Sequence, residues 1–269
     1  FSQSGETNET VKAARSAKNM GAKVIAITNN SNSQLGLLSD RIISLYAGAE
    51  EGPGTKTVVA ETLAIYILFL KIAKKLNYVN QNEYKIIWKE ITKIHETGRD
   101  IQEIARNSEN IINKLSKAKE IFIIGAGPYS ALAFQAANSF KEITKIHTEG
   151  FEAIEFRHGP LEMVNNNSII ISLYSTDSPI KEDIDSICKI SKEAGALCIS
   201  LQSVNKEKNK DNAENLFDYY YEISDVNEIL GSIIGLIYFH EWSYSIAKMK
   251  NLNPNEFNNI VKTWSEKYF

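Results

Sequence analysis

The sequence predicts an α/β protein built from two tandem, doubly wound domains with parallel sheets. Three observations predict it. Short apolar segments alternate with amphipathic ones, this alternation occurs twice along the chain, and a length of 269 residues suits two domains. Strands that alternate with helices form βαβ units, in which a crossover helix makes the successive strands run parallel.

The repeat pairs residues 2–28 with residues 175–200. In each copy a serine-rich turn leads into a segment whose apolar residues recur at helical spacing. The apolar stripe consists of Val11, Ala14 and Ala17 in the first copy and of Ile184, Ile187 and Ile190 in the second.

Each predicted helix ends at a Gly-Ala pair, Gly21-Ala22 and Gly195-Ala196, where glycine can supply a left-handed C-cap. A short apolar run follows each pair, as expected for a buried strand, and a second strand follows a polar loop. We therefore expect strands at residues 24–27 and 41–46, and at 197–199 and 217–222.

The domains are expected at residues 1–79 and 119–250, with a helical linker at 80–118 and a tail at 251–269. The second domain opens with a strand and turn at residues 120–127, whereas the first copy has no such opening unit. A sheet that lacks its central strand should not fold well alone. We therefore expect an N-terminal portion of the first domain to precede the sequence shown.

Composition excludes several functional classes. A net charge of −3 and a pI near 5.9 argue against nucleic-acid binding, which needs a basic face. The only cysteines, Cys188 and Cys198, indicate a reduced, cytoplasmic protein. No segment has the roughly 18–20 apolar residues of a membrane span. The Gly125-Ala126-Gly127 turn has Ser130 at the third position of a dinucleotide motif, so we expect no dinucleotide cofactor. The histidines lack the spacing of metal ligands, so we expect no metal.

The turn Ser2-Gln3-Ser4-Gly5-Glu6-Thr7 is the first candidate site. It precedes a helix, whose N-terminal N–H groups suit a phosphate, and its hydroxyl groups add further donors. The same hydroxyls could instead cap the helix, because serine and threonine are common N-caps. The residues alone leave both interpretations open.

The run SQSGET, followed by the helix ETVKAAR and the strand KVIAITN, resembles the phosphosugar-binding signature of the SIS (sugar isomerase) family. The resemblance implies two flavodoxin-like SIS domains, the first incomplete. It also implies that Ser2, Gln3, Ser4 and Thr7 bind the phosphate of a hexose 6-phosphate. The second copy, with Asp177 in its turn, has lost this pattern and is expected to bind no phosphate.

The segment ANSFKEITKIHTEGFEAIEFRHGPLEMV, residues 137–164, resembles the isomerase half of glucosamine-6-phosphate synthases and related glucosamine-6-phosphate deaminases. The resemblance implies that Glu142 is the base that moves a proton between C1 and C2. It implies that His158 opens the sugar ring in the site of a neighbouring subunit, hence a homodimer. A carboxyl group whose pKa is raised by burial can transfer a proton near neutral pH, and a histidine can do so without an unusual environment.

The tail residues 259–262 resemble the family segment that carries a lysine into the site, which makes Lys262 the candidate amine. Lys250 and Lys267 are the alternatives. Thr55 matches a substrate contact. Two positions depart from the synthase pattern: Ser139 replaces a lysine one helical turn before Glu142, and Gly54 replaces a serine.

The leading hypothesis is conversion of glucosamine 6-phosphate to fructose 6-phosphate and ammonia, or the reverse. One alternative is a deglycase acting on a 6-phosphofructosyl-amino acid, for which the departures at Ser139 and Gly54 would make room. Another is a sugar-phosphate sensor without catalysis. All three bind a small hexose 6-phosphate, and none needs nucleic acid or a membrane.

Overall fold

The computed structural model describes residues 1–204, 216–224 and 226–259. The chain divides into two compact units: Phe1–Tyr84 together with the tail from Asn255, and Lys85–Pro254. Within the described part, none of the helices combines the length and the apolar character needed to span a bilayer.

The first unit holds a small parallel sheet. Its strands pair in register from Ile25 opposite Arg41, and a core cluster of Val11, Ala26 and Leu35 joins the first helix to the first strand. The elements are α1 (Asn8–Asn19), β1 (Ile25–Thr28), α2 (Gln34–Leu38), β2 (Arg41–Ser44) and α3 (Lys56–Lys75). Both expected strands are present, and β2 ends two residues earlier than expected.

The second unit holds a five-stranded parallel sheet. Helix α4 starts just before this unit in the chain and continues into it. The elements are α4 (Gln81–Arg106), α5 (Glu109–Ser116), β3 (Glu120–Gly125), α6 (Pro128–Thr144), β4 (His147–Glu152), two 3₁₀ turns (Glu155–Arg157 and Pro160–Met163), β5 (Ser168–Ser175), α7 (Lys181–Glu193), β6 (Leu197–Val204), β7 (Tyr219–Ser224) and α8 (Glu228–Met249).

The strand order of this sheet is β4-β3-β5-β6-β7 with every neighbour parallel. This is the flavodoxin-like order, in which the chain switches direction between β3 and β5. Side chains on one face, including Phe122 and Ile170, pack with Ile184 and Ile187 of α7. The α/β class with parallel sheets is therefore confirmed.

The two copies of the repeat end their helices in the same way. Gly21 and Gly195 both adopt positive φ, 87° and 93°. In both copies the N–H after the glycine donates to the carbonyl five residues earlier at 3.0 Å, from Ala22 to Ala17 and from Ala196 to Ser191. These bonds define a Schellman motif, so the C-caps expected from the sequence are confirmed.

The apolar stripe of α7 differs from the expected one. Ile184 and Ile187 are buried as expected, but Ile190 is 50% exposed, so its assignment to the core was wrong. Cys188 and Ser191 take the buried positions instead. A helical face recurs at spacings of three, four and seven residues, and a strict spacing of three drifts off it. The strand expected from residue 217 begins at Tyr219.

Candidate functional site

The serine-rich turn begins alongside the carboxyl end of β1. The Ser2 N–H donates to the Ile27 carbonyl at 3.2 Å, and the Asn29 N–H donates to the Gln3 carbonyl at 3.1 Å. These bonds continue the pairing pattern of a parallel strand, after which the chain turns into α1. The turn thus lies where ligands bind in open parallel sheets, at the carboxyl ends of the strands.

Side-chain hydroxyls organise the inside of this turn. The Ser2 and Thr7 hydroxyl oxygens lie 3.0 Å apart, and the Ser2 hydroxyl also accepts the Gly5 N–H at 3.1 Å. The Ser4 hydroxyl accepts the Glu6 N–H at 3.2 Å. Thr7 holds the N-cap position of α1, but its side chain makes no capping hydrogen bond. The first-turn N–H groups of α1 are therefore not capped by this hydroxyl, which favours an anion site over a simple cap.

Gly5 is required by the packing of the turn. Its φ is 69°, and a Cβ built on it would lie 1.9 Å from the Ser33 hydroxyl oxygen. Ser33 is itself buried and fixed, because its hydroxyl donates to the Asn30 carbonyl at 2.6 Å and accepts the Gly36 N–H at 3.2 Å. Any larger residue at position 5 would displace the turn from α2.

Thr55 is already engaged within the protein. Its N–H and its hydroxyl each donate to the Glu50 carboxylate at 3.0 Å, and the Thr57 N–H and hydroxyl donate to the same carboxylate. Burial works to raise the pKa of Glu50, but the hydrogen bonds from Thr57 and Thr55 outweigh it, so the pKa is lowered. An ionised Glu50 therefore fixes the start of α3.

Glu61 is a candidate site residue that was not predicted from the sequence. It lies on α3 one turn after Thr57, and its Oε1 is buried with no hydrogen-bond partner among the described residues. Burial raises its pKa, opposed by the Phe1 amino group and assisted by the charge of Glu50. A single carboxylate within the apolar run VVAETLAI was the available signal.

Glu142 lies near the C-terminal end of α6 and is half-buried. Burial raises the pKa of its carboxyl group, while the charges of Lys145 and Lys141 oppose the shift. The Lys145 amine donates to the Glu142 backbone carbonyl at 2.5 Å. The direction of this shift is the one that a general base working near neutral pH requires.

His158 is exposed and follows the 3₁₀ turn Glu155–Arg157. Its backbone N–H donates to the Glu155 carbonyl at 3.0 Å, and Gly159 after it has a φ of 137°. The neighbouring Arg157 is fixed by an ion pair with Asp183 at 2.9 Å. The backbone at His158 is thus defined, and the residue is exposed.

The two departures from the family pattern differ in burial, since Ser139 is buried and Gly54 is half-buried. Ser139 is 1% exposed, and its hydroxyl has no partner among the described residues. A Cβ at Gly54 would lie 3.1 Å from the Val58 side chain. Neither position leaves an evident gap for a larger group inside its own unit.

The candidate lysines differ in what the structure describes. Lys250, at the end of α8, donates from its amine to the Thr144 carbonyl at 3.4 Å, so it interacts with the end of α6. Lys262 and Lys267 lie outside the described residues. Over the described ranges no group of three or more histidine, cysteine or acidic side chains could hold a metal ion.

The predicted site residues therefore fall into two sets. The phosphate-turn residues and Thr55 belong to the first unit, and Glu142 and His158 belong to the second. The structure brings the hydroxyls of the turn together around the start of α1. That the two sets share one active site remains a proposal.

Comparison with known proteins supports the resemblance. The SIS domain model matches residues 1–71 and 114–231, well over half of the chain. A glutamine–fructose-6-phosphate aminotransferase (isomerizing) from Clostridium tetani is 28% identical over 264 residues, covering 98% of this chain and 43% of that protein. The chain thus spans less than half the length of this curated relative.

Two solved structures share the fold. The C-terminal domain of glucosamine-fructose-6-phosphate aminotransferase from Francisella tularensis is 25% identical with a TM-score of 0.86, covering 95% of this chain and 71% of that one. A glucosamine-6-phosphate deaminase from Thermotoga maritima is 16% identical with a TM-score of 0.72, covering 98% and 73%. At 16% identity the second likeness shows the fold alone.

Proposed function

Because this chain belongs to the SIS domain family, we propose that it is a phosphosugar isomerase that deaminates glucosamine 6-phosphate. The products would be fructose 6-phosphate and ammonia, with one water consumed. The observation that carries the proposal is the hydroxyl-lined turn before α1, in which Gly5 allows close packing against Ser33 and the hydroxyls of Ser2 and Thr7 are in contact. The printed names of the aminotransferase relatives include fructose 6-phosphate, which is a product of the proposed reaction.

The turn would bind the phosphate through hydroxyls and through the N–H groups at the start of α1. Ser2, Ser4 and Thr7 supply the hydroxyls, and the Gln3 side chain would add an amide donor. The helix dipole favours a negative charge at this point, so no arginine or lysine is needed. Binding at the phosphate leaves the first two sugar carbons for chemistry elsewhere in the site.

Glu142 and His158 would carry the proton transfers. His158 would open the sugar ring, which exposes the C1 aldehyde. Glu142 would remove the proton at C2 and return it to C1, which converts the amine-bearing aldose into a ketose imine. Water then adds to C2, and the carbon–nitrogen bond breaks with release of ammonia. The half-buried position of Glu142 supports this role because its pKa is raised.

The proposal also includes the assembly. Two tandem SIS domains would form each chain, and His158 would serve the site of the second chain in a homodimer. His158 is exposed, which leaves it accessible to a second chain and supports this arrangement. Lys262 would supply the amine that binds the ketose.

The test is to incubate the purified protein with glucosamine 6-phosphate and to measure ammonia and fructose 6-phosphate. We expect turnover in the unaltered protein and loss of turnover in Glu142→Gln. The matched control is Glu149→Gln, because Glu149 is an exposed carboxylate on β4 paired only loosely with His147 at 3.6 Å. Absence of turnover in the unaltered protein rejects the deaminase.

A substrate panel then separates the remaining possibilities. Release of an amino acid from a 6-phosphofructosyl-amino acid would identify a deglycase. Binding of hexose 6-phosphates with no product from any substrate would identify a sensor. Because Ser139 is buried and a Cβ at Gly54 would already lie 3.1 Å from the Val58 side chain, we favour the small leaving group, ammonia.

A further inference from the structure

Tyr46 has a backbone conformation that tyrosine rarely adopts. Its φ is 54°, in the left-handed region that glycine and asparagine favour and that a bulky side chain disfavours. It lies two residues beyond the end of β2. A tyrosine at this position therefore works against the local backbone.

The neighbouring backbone imposes this conformation. The Asn29 side chain accepts the Ala47 N–H at 3.0 Å and donates to the Gly48 carbonyl at 2.7 Å. On the other side, the Leu45 N–H donates to the Thr28 carbonyl at 3.1 Å. Residues on both sides of Tyr46 are thus fixed to the end of β1, and the turn between them is left-handed.

The Tyr46 side chain is hardly stabilised by packing against the part of the chain that the structure describes. It is 91% exposed, so its ring has almost no packing contact with the described residues. Residues held in sparsely populated conformations collect at ligand-binding positions, where the strain serves a purpose. An exposed aromatic ring held in this way is a candidate ligand contact.

The location of Tyr46 supports this interpretation. The Ser2–Thr7 turn runs beside β1 on the side away from β2, and Tyr46 follows β2 at the same carboxyl edge. Two strand spacings, about 10 Å, therefore separate the two backbones across the edge. A hexose 6-phosphate whose phosphate lies in the turn would extend its carbon chain across this edge.

We propose that the Tyr46 ring contacts the sugar part of the phosphosugar whose phosphate occupies the Ser2–Thr7 turn. This inference rests on the phosphate site of the proposed function. The ring would cover a C–H face of the sugar, so it would discriminate a phosphosugar from phosphate alone. It takes no part in proton transfer.

The test compares Tyr46→Asn and Tyr46→Phe with the unaltered protein. Calorimetry would measure the binding of fructose 6-phosphate and, separately, of inorganic phosphate. We expect Tyr46→Asn to weaken fructose 6-phosphate binding by about three- to tenfold and to leave phosphate binding unchanged, whereas Tyr46→Phe retains both. The melting temperature of Tyr46→Asn should not fall, because asparagine accepts a positive φ.

Tyr78→Asn is the matched control, since Tyr78, after α3, is also a highly exposed tyrosine, at 81%. It should leave both affinities unchanged. Unchanged fructose 6-phosphate binding in Tyr46→Asn overturns the inference while the proposed function stands. Equal weakening of fructose 6-phosphate and phosphate also overturns it, because the turn itself would then have moved. If the unaltered protein binds neither ligand, the phosphate site and the Tyr46 contact fail together.

Discussion

The hydroxyl oxygens of Ser2 and Thr7 lie 3.0 Å apart and connect the two ends of the turn before α1. Ser2 is 8% exposed, and its hydroxyl also accepts the Gly5 N–H. One side chain thus holds both the middle and the end of the turn. The spacing of the proposed phosphate donors depends on this pair.

We predict that Ser2→Ala weakens fructose 6-phosphate and inorganic phosphate binding alike, by about tenfold. The alanine removes the acceptor of the Gly5 N–H and the partner of Thr7, which also lowers the free energy of unfolding by about 1 kcal/mol. Calorimetry and urea unfolding measure the two effects. Ser16→Ala, at an exposed position of α1, is the control and should change neither. Full retention of phosphate binding in Ser2→Ala would argue against the turn as the phosphate site.

Gly5→Ala and Gly21→Ala form a pair in which backbone conformation is matched and packing differs. Both glycines have positive φ, but a Cβ at Gly21 meets no atom within 4 Å, whereas at Gly5 it meets Ser33. We predict a loss of about 1 kcal/mol in unfolding free energy for Gly21→Ala, from conformation alone. Gly5→Ala should lose at least about 2 kcal/mol and also its phosphate binding. Similar losses in both variants would show that the contact with Ser33 relaxes easily.

The features predicted best from the sequence depend on local rules. The Schellman caps at Gly21 and Gly195 follow from a glycine placed after an amphipathic helix, and the strands follow from short apolar runs. The predicted burial of Ile190 was wrong because a spacing of three residues departs from the helical period over two turns.

The features that could not be predicted depend on tertiary contacts. Thr55 matches a family substrate contact, but its hydroxyl is held by Glu50, and that partnership depends on how residues 50–57 turn. That a buried oxygen of Glu61 has no hydrogen-bond partner within the described ranges becomes evident only once α3 is placed. Sequence patterns identify the chemical groups available, whereas the folded chain decides which of them are already in use.

Glu142→Gln should separate activity from stability. The pKa of Glu142 is raised by burial, so its protonated form fits the fold better. Its contribution to stability is therefore present below the unfolded pKa, near 4.3, and is lost as pH rises through the folded pKa. At pH 7 glutamine should not lower the melting temperature, while deaminase turnover should fall by about 10²–10⁴-fold. Equal turnover in Glu142→Gln and Glu149→Gln would remove Glu142 from the mechanism.

Substitution of Glu50 should lower the free energy of unfolding, whereas substitution of Glu61 should not. The pKa of Glu50 is lowered by its hydrogen bonds, so it stabilises the fold above its unfolded pKa and loses this effect as pH falls. Glu61 has a raised pKa, so its contribution is lost as pH rises. At pH 7 Glu50→Gln should lower the unfolding free energy by about 2 kcal/mol, and Glu61→Gln should leave it unchanged or raise it. Urea unfolding from pH 4 to pH 8 measures both, and a destabilised Glu61→Gln would indicate that this carboxylate has a partner when charged.

Mixed dimers test whether His158 acts in a neighbouring chain. Consider a dimer of one Glu142→Gln chain and one His158→Asn chain. If each active site combines Glu142 of one chain with His158 of the other, one of the two sites carries both changes and the other carries neither. Random mixing of equal amounts would then leave about a quarter of all sites intact. We expect co-expressed chains to regain about that share of turnover, although each variant alone is inactive. If His158 instead serves its own chain, every site in the mixture carries one change, and the mixture stays as inactive as its parents.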